Sequence, residues 1–390
     1  MLYDRTLPKP DESFFLLGPR GTGKTTWIKA HWPEALHLDL LEPKLFLSLS
    51  REPSLLEAMV APLKPRSWVV IDEIQKIPTL LDSVHRLIES KQLHFILTGS
   101  SSRKLKRSGA NLLAGRAIMR EMWPFTSAEM QEHFDLDHCL KWGGLPRAVQ
   151  TKDPSDFLES YFHTYLKEEI REEGVVRQID PFVRFLEVAA NMNGQVLNLE
   201  AVARESGSKR PTVEKWFTVL QETLIADILP SWRPGFKVRE SAHPKFYWFD
   251  NGVLRAAAGR LSSEDIDSSW LGYSFESWVL HEVRAYNSYF RKRKSLFYYS
   301  LPSNVDIDLI IEMKKTTKSS VSEIIGVEIK SSKKWKREWE RALRDLKSSE
   351  KCKVKRMIGV YRGEEILQFD DFEVYPIKQF LKALHSGELF

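Results

Sequence analysis

The stretch SFFLLGPRGTGKTT, residues 13–26, decides the fold of the N-terminal part of this 390-residue chain. Its apolar first half predicts a buried strand, its glycines predict a tight turn, and a helix is expected from Lys24 to about Ala30. Residues 18–25 fit the pattern G-x-x-x-x-G-K-S/T without a mismatch. A strand, a glycine-rich loop and a helix in this order gather backbone N–H groups around one point, which is an arrangement that binds phosphate.

The side chains of this loop are of the types that bind a nucleoside triphosphate. Lys24 is placed to reach the β- and γ-phosphates, and the hydroxyl of Thr25 is placed to bind Mg²⁺. The glycines allow the backbone to turn its N–H groups toward the phosphates. We therefore predict that Mg-ATP binds here, in contact with Gly18, Pro19, Arg20, Gly21, Thr22, Gly23, Lys24, Thr25 and Thr26.

Two more apolar runs follow, and each ends in polar residues. Residues 68–71 precede Asp72 and Glu73, and residues 94–97 precede a Thr-Gly-Ser sequence that ends at Ser100. Asp72 is expected to hold Mg²⁺, and Glu73 to orient or deprotonate the attacking water. Ser100 is a candidate for positioning that water, at the edge where open α/β sheets bind ligands. Because strands alternate with helices, the fold class is α/β, with a parallel sheet covered on both faces.

Arg116 lies beyond the last of these strands, in Leu113-Ala114-Gly115-Arg116. An arginine here could reach the γ-phosphate of a nucleotide bound to a neighbouring subunit, where such a group is worth several orders of magnitude in rate. The alternative is a simple surface arginine. The first interpretation requires a dimer or a ring, and a hexamer is expected by analogy of class alone.

Composition sets limits on the compartment and on the kind of site. The only cysteines, Cys139 and Cys352, cannot build a disulfide framework or a cysteine-based metal site, which suits a reducing cytoplasm. No apolar run approaches the roughly 20 residues of a membrane helix. We therefore expect a cytoplasmic protein with no membrane partner. The net charge of +5 and the pI of about 8.9 are mildly basic.

The motifs resemble those of the AAA+ class of P-loop ATPases. The chain is similar to a bacterial and archaeal family that joins an AAA domain to a C-terminal domain long left uncharacterised. The likeness lies in residues Gly18–Thr25, Ile71–Gln75, Leu97–Ser100, Leu113–Arg116, Trp142–Pro146 and Phe246–Leu254. It implies Mg-ATP binding by Lys24 and Asp72, with Glu73 as the catalytic residue, and it does not settle a substrate. We expect an AAA+ domain at 1–130, a helical and winged-helix region at 131–260, and a C-terminal α/β domain at 261–390.

Residues 198–228 have the proportions of a winged helix, because two helices joined by a Gly-containing turn precede short strands. Residue types that contact phosphates and bases lie at or near the start of the second helix, namely Ser208, Lys209, Arg210, Thr212 and Lys215. Contact with DNA is one interpretation. In the other, the winged helix only packs against the ATPase core or another subunit.

Four charged residues of the C-terminal part form a further candidate site. Asp308 lies on a predicted strand, Glu328 and Lys330 share one face of the next strand, and Glu276 lies on the preceding helix. The set resembles the PD-(D/E)xK nuclease fold, in which carboxylates hold Mg²⁺ and a lysine orients water. The proline of that motif is absent, since Val305 precedes the Asp306-Ile307-Asp308 sequence, which weakens the case for cleavage. A metal-free remnant of a nuclease is the alternative.

Two basic clusters, residues 291–294 and 333–337, flank this set and favour a phosphate-bearing partner such as DNA. The leading hypothesis is a DNA-engaging ATPase, a motor or remodeller in DNA processing, repair or defence. One alternative is a signalling or defence switch that reads a protein partner. Another is an ATPase coupled to an endonuclease. For each basic cluster, a solvated face that binds nothing is the competing interpretation.

Overall fold

The computed structural model describes residues 3–101, 113–166, 179–233, 243–262, 267–300, 306–315, 321–349 and 351–390. Val305, the first residue of a strand predicted at about 305–312, lies outside these ranges. So do parts of the stretch 153–190, whose pattern predicts helix, and of the polar stretch 313–322. No helix among the described residues is both long enough and apolar enough to cross a bilayer.

The N-terminal region is built around one parallel sheet. Its strands are β1 (Phe14–Leu17), β2 (Leu36–Asp39), β3 (Trp68–Asp72), β4 (His94–Gly99) and β5 (Ile118–Glu121), in the order β2-β3-β4-β1-β5. The flanking helices are α1 (Lys24–His31), α2 (Pro43–Arg51), α3 (Leu55–Val60) and α4 (Leu80–Lys91). The predicted parallel α/β sheet is confirmed, and the carboxyl ends of β1, β3 and β4 meet at one edge.

The alternation of side chains along β1 explains why helices cover both faces. Phe14 and Leu16 pack with Trp27 and Ile28 of α1, whereas Phe15 and Leu17 pack in the cluster on the opposite face. All four residues of β1 are buried. A strand that is apolar on both faces belongs in the centre of a parallel sheet, and β1 lies between β4 and β5. The sequence 18–25 therefore begins directly after a strand that is buried along its whole length.

The middle region is mostly helical. Its helices are α5 (Ser127–Met130), α6 (Leu136–Trp142), α7 (Pro146–Gln150), α8 (Pro154–Ser160), α9 (Ile179–Asn191), α10 (Leu199–Glu205), α11 (Arg210–Glu222) and α12 (Asn251–Ala257). A π-helical turn spans Tyr161–Leu166, and β6 (Ala226–Leu229) pairs with β7 (Lys245–Trp248) in an antiparallel hairpin. Asn198 caps α10, and Pro211 lies in the first turn of α11. The helix–turn–helix followed by two short strands agrees with the predicted order of elements.

The C-terminal region joins a long helix to a mixed sheet. The helices are α13 (Ser268–Tyr289), α14 (Arg341–Ser348) and α15 (Ile377–His385), and a 3₁₀ turn spans Arg337–Glu340. The strands are β8 (Ser295–Ser300), β9 (Asp306–Lys314), β10 (Glu323–Lys330), β11 (Lys353–Tyr361), β12 (Leu367–Phe369) and β13 (Phe372–Pro376). They lie in the order β12-β13-β11-β10-β9-β8, with parallel pairs at the centre and antiparallel pairs at both edges. The mixed sheet is thus established, and the nuclease-like fold stays a prediction.

Two distant motifs of the middle region pack directly against each other. One oxygen of Asp250 caps α12 by accepting from Gly252 N at 2.8 Å and Val253 N at 3.1 Å, and the other accepts from Gly144 N at 2.7 Å. A Cβ atom on Gly143 would clash with the Asp250 carboxylate. Residues 142–146 and 246–254 are therefore two halves of one buried contact.

The buried carboxyl of Asp250 gives the folded protein a defined dependence on pH. Burial raises the pKa of Asp250 from 3.8 to about 6, although four backbone N–H groups oppose the shift. Because the folded state then holds the proton more tightly than the unfolded chain, the free energy of unfolding should fall as pH rises from about 4 to about 6. The expected contribution is about 3 kcal/mol. Urea unfolding measures the free energy of unfolding at each pH. Its decrease between pH 4 and pH 6 should be smaller in Asp250→Asn than in the wild type, and an equal decrease would contradict the assignment.

Candidate nucleotide-binding site

The backbone between β1 and α1 takes the shape that its glycines permit. Gly21 and Gly23 have φ angles of 77° and 90°, in the left-handed region that favours glycine, and α1 begins directly afterwards at Lys24. Gly18 lies against the end of β5, where a Cβ atom would clash with the carbonyl oxygen of Met122. The glycines therefore serve both the turn and its close packing on the sheet.

The ammonium group of Lys24 lies inside this loop. Its Nζ donates to the carbonyl oxygen of Gly18 at 2.6 Å and to that of Pro19 at 3.0 Å, and the residue is only 7% exposed. The hydroxyl of Thr22 donates to the same Pro19 carbonyl at 2.9 Å. A buried positive charge is thus fixed at the point toward which the loop closes, where an entering phosphate would meet it.

Asp72 links the loop to the ends of β3 and β4. The Thr25 hydroxyl donates to Oδ2 of Asp72 at 2.8 Å, and the Thr98 hydroxyl donates to Oδ1 of the same carboxylate. Mg²⁺ prefers oxygen ligands and is usually held by one or two carboxylates together with substrate phosphates and water. The donor set of Thr25 and Asp72 fits that ion, and the predicted pair does lie together.

Glu73 follows Asp72 with a φ angle of 60°, which is unusual for a residue with a side chain. Its carboxylate accepts a hydrogen bond from Nε2 of Gln75, which also donates to the Ser100 hydroxyl at 3.3 Å, and Glu73 N donates to the hydroxyl of Thr98 at 3.2 Å. A Cβ atom on Gly99 would clash with the Gln75 amide. Gln75, which the sequence analysis missed, thus joins Glu73 to Ser100. Its signal in the sequence was its place at the end of Ile71–Gln75, one of the stretches that carry the family likeness.

Residues of the middle region lie directly on the phosphate-binding loop. The Tyr161 hydroxyl donates to the carbonyl oxygen of Arg20 at 3.0 Å. A carbon of the same ring lies 3.6 Å from the Cβ position at Gly21, and the ring of Pro146 lies 3.9 Å from the Cβ position at Gly23. The loop is therefore enclosed by the helical region as well as by its own sheet.

A cavity of about 260 Å³ adjoins the loop on the side of α1. Apolar rings and a few polar groups line it, including Tyr3, Arg5, Thr26, Trp27, Phe125 and Pro146. Arg5 donates to the carbonyl oxygen of Thr22 at 3.2 Å, which ties the N-terminal segment to the loop. Mostly apolar concavities with a few placed polar groups are typical of small-molecule sites.

Arg116 lies away from these contacts within its own chain. Its guanidinium pairs with the Glu89 carboxylate of α4, and both side chains are partly exposed. This hydrogen-bonded pair lowers the pKa of Glu89. The role of a finger for a neighbouring subunit, and self-association with it, stay predictions.

The four predicted residues of the C-terminal set do come together. Nζ of Lys330 lies 3.2 Å from Oδ2 of Asp308 and also contacts Oε1 of Glu328. The same Asp308 oxygen accepts from Ile329 N at 2.7 Å. Burial raises the pKa of Glu328 to about 8. The described residues nevertheless contain no group of three or more His, Cys, Asp or Glu side chains arranged to hold a metal ion.

A fifth charged residue, Lys245 of β7, enters the set from the middle region. Its Nζ lies 3.0 Å from Oε1 of Glu276 and 3.8 Å from Oδ1 of Asp308. Tyr247, two residues along the strand and on the same face, donates to Oε1 of Glu276 at 2.5 Å. Burial opposes the charge of Lys245, but the two carboxylates raise its pKa above the ordinary value. Sequence reasoning missed this lysine because nothing local marks it.

The candidate nucleic-acid contacts differ in their surroundings. Lys209, Arg210 and Lys215 are exposed at the start of α11, where Arg210 pairs with Glu200 at 3.0 Å. Trp335 of the second basic cluster is not free to stack on bases, because its ring packs 5.8 Å from that of Phe372. The basic side chains around Trp335 are nevertheless exposed, as are those at the start of α11.

Family comparisons divide the chain into three stretches. Residues 11–131 match the AAA domain model. Residues 133–264 and 271–380 match two further families, each described as a domain of unknown function, DUF8612 and DUF4143. A comparison with curated proteins gave no match. The N-terminal AAA domain therefore carries the phosphate-binding loop and both acidic residues that follow β3.

Solved structures that resemble the chain include the Aeropyrum pernix ORC1 protein in complex with DNA, with 12% identity, 66% of this chain and 87% of that chain covered, and a TM-score of 0.32. The replication initiator DnaA bound to AMPPCP and single-stranded DNA has 15% identity, 55% and 84% coverage, and a TM-score of 0.30. PCH-2 of C. elegans has 16% identity, 55% and 62% coverage, and a TM-score of 0.23. At these scores the likenesses carry no argument about function.

Proposed function

We propose that this chain is an ATPase that binds Mg-ATP at the loop between β1 and α1. The observation that carries the proposal is the network in which the Thr25 hydroxyl, the Asp72 carboxylate and the Thr98 hydroxyl meet beside the buried ammonium of Lys24. A positive charge and oxygen ligands for Mg²⁺ thus lie together at the N-terminus of α1. The same proposal divides the chain into an AAA+ domain at 1–130, a helical and winged-helix region at 131–260 and a C-terminal domain at 261–390.

Each residue has a defined task in hydrolysis. Lys24 binds the β- and γ-phosphate oxygens and neutralises charge that develops as the bond to the β–γ bridging oxygen breaks. Glu73 accepts a proton from the water that attacks the γ-phosphorus, and Gln75 and Ser100 hold the Glu73 carboxylate and the water in place. Bound Mg²⁺ supplies further charge neutralisation at the phosphates. The products are ADP and inorganic phosphate.

The cavity beside α1 is the proposed site of the nucleoside. It begins at Thr22 and Gly23 of the loop and continues past Thr26 between α1 and the N-terminal segment. The rings of Tyr3 and Phe125 offer apolar surface to a base, with their centroids 4.9 Å apart. Calorimetry of the whole chain with ATP, GTP and pyrimidine nucleotides tests this site. Phosphate release from ATP, measured with Mg²⁺ and with excess chelator, tests the hydrolysis. Phosphate release that persists without a divalent ion would contradict the proposal.

DNA is the partner that the exposed residues at the start of α11 favour. Neutralising phosphates with lysine and arginine releases counterions, so binding should weaken steeply with salt. If Lys209 and Lys215 each contact a phosphate, the Lys209→Ala/Lys215→Ala double variant should reduce the slope of log K against log salt by about 2. Fluorescence anisotropy with single-stranded, duplex and branched DNA measures this slope. The exposed Lys44 of α2 offers a matched control, since Lys44→Ala should leave the slope unchanged.

A failure of all three DNA forms to bind at low salt would favour the alternative of a switch that reads a protein partner. In that case one protein should co-purify in a fixed ratio and change the rate of ATP hydrolysis, whereas DNA should not. Because ATP hydrolysis is measured separately, loss of the DNA proposal leaves the ATPase proposal intact.

A further inference from the structure

We infer that Lys245 is the resident cation of the C-terminal carboxylate cluster and takes the place that a divalent metal ion would have there. The cluster consists of Glu276, Asp308 and Glu328, which the resemblance to PD-(D/E)xK nucleases would assign to Mg²⁺. In this chain an ammonium group from the neighbouring β-hairpin lies among them. The cluster therefore excludes a divalent ion for as long as β7 stays in position.

The two oxygens of Asp308 show how the charges are distributed. Oδ1 faces Nζ of Lys245 at 3.8 Å, and Oδ2 faces Nζ of Lys330 at 3.2 Å. Glu276 is bound by Lys245 and Glu328 by Lys330, so the three carboxylates are shared between two ammonium groups. A dication added to this set would be repelled by two positive charges at a few ångströms in a buried site. Lysine and metal therefore exclude each other.

One oxygen of the cluster, on Glu328, is left without a hydrogen-bond partner. Oε2 of Glu328 is buried and accepts no hydrogen bond, although the residue is only 4% exposed. A buried carboxylate oxygen without a partner is costly, because it has lost water and gained nothing. Removal of the Lys245 ammonium would leave Oδ1 of Asp308 and Oε1 of Glu276 without the cation that they share, and two carboxylates are ligands that suit a divalent cation.

The position of Lys245 is fixed by the docking of the hairpin as a unit. Trp232 N donates to the carbonyl oxygen of Tyr298 at 2.6 Å, and Tyr298 N donates to the carbonyl oxygen of Pro230 at 3.0 Å. On β6, Asp227 pairs with Arg284 of α13 at 2.9 Å. A displacement of the hairpin would carry Lys245 out of the cluster, so access of a metal ion is governed by the position of the hairpin.

Mn²⁺ binding to the full chain without nucleotide tests the inference, with free Mn²⁺ followed by electron paramagnetic resonance. Any Mn²⁺ that the wild-type protein binds should bind equally well to the Asp308→Asn variant. Lys245→Ala should gain one Mn²⁺ per chain, at least about tenfold tighter than any wild-type binding, and Lys245→Ala/Asp308→Asn should lose it again. The matched control is Lys355→Ala, which frees the Glu323 carboxylate from a 2.7 Å ion pair on the same sheet and should gain nothing.

Two results would overturn the inference. One is Mn²⁺ binding by the wild-type protein that is lost in Asp308→Asn, because metal and lysine would then coexist. The other is a folded Lys245→Ala protein, judged by circular dichroism, that gains no Mn²⁺. Lys245→Met, which keeps the length of the side chain without its charge, replaces the alanine variant if that one fails to fold. The comparison of the wild type with Asp308→Asn needs no variant of Lys245 and decides the first point.

Discussion

Lys24→Ala is expected to abolish ATP hydrolysis and to weaken ATP binding by about 100-fold, equivalent to about 3 kcal/mol. The ammonium is buried within the loop and is held by carbonyl oxygens 2.6 and 3.0 Å away, so no other lysine of α1 can replace it there. Calorimetry with a non-hydrolysable ATP analogue measures the binding, and phosphate release measures the rate. Lys29→Ala, which removes an exposed lysine from the same helix, is the matched control and should change neither.

Thermal unfolding shows whether Lys24→Ala affects only the binding of ATP or the stability of the whole protein. Lys24→Ala should unfold at nearly the same temperature as the wild type without nucleotide and should lose the stabilisation that ATP gives to the wild type. An unaltered ATP affinity and rate in Lys24→Ala would remove the basis for the nucleotide site.

Glu73→Gln is expected to lower the rate of hydrolysis by about 10²–10⁴ while leaving ATP binding within a few fold of the wild type. Glutamine keeps the shape of the side chain, but it cannot accept a proton from the attacking water. Rapid mixing with labelled ATP should show a bound nucleotide that stays uncleaved. Glu34→Gln, at an exposed site before β2, is the matched control and should hydrolyse ATP normally.

Two other results for Glu73→Gln would change the role assigned to Glu73. A Glu73→Gln protein with an almost unchanged rate would place the general base elsewhere, although the phosphate-binding loop would stand. A large loss of ATP binding would instead show that Glu73 supports the fold of the loop, since its backbone has a φ angle of 60° and its N–H is bound by Thr98.

Elements with strong local patterns could be predicted from the sequence. The loop at 18–25 has its glycines, lysine and threonine in a fixed order, and β1, β3 and β4 are short runs of apolar residues. The sequence does not predict β2 and β5, because Leu36–Asp39 alternates apolar and polar residues and Ile118–Glu121 contains only two apolar residues. Both strands are only partly buried. Their strand conformation depends on pairing with β3 and β1, which no local pattern encodes.

The residues that sequence reasoning missed owe their roles to partners far along the chain. Lys245 contacts Glu276 and Asp308 across the boundary of two regions, and Asp250 accepts from Gly144, 106 residues away. Alternation along β7 places Lys245 on one face, but it does not say which charges that face meets. The C-terminal acids named from the sequence lie close together in the structure, whereas the lysine that pairs with two of them was visible only in the fold.

The contact of Tyr161 with the phosphate-binding loop has a consequence for the working cycle. Because the hydroxyl is bonded to the backbone of Arg20 itself, any change in the path of the main chain during catalysis must stretch this bond or displace the helical segment that bears it. The middle region would then respond to occupancy of the loop without a separate moving flap, through Tyr161 and the neighbouring contact of Pro146 with the loop.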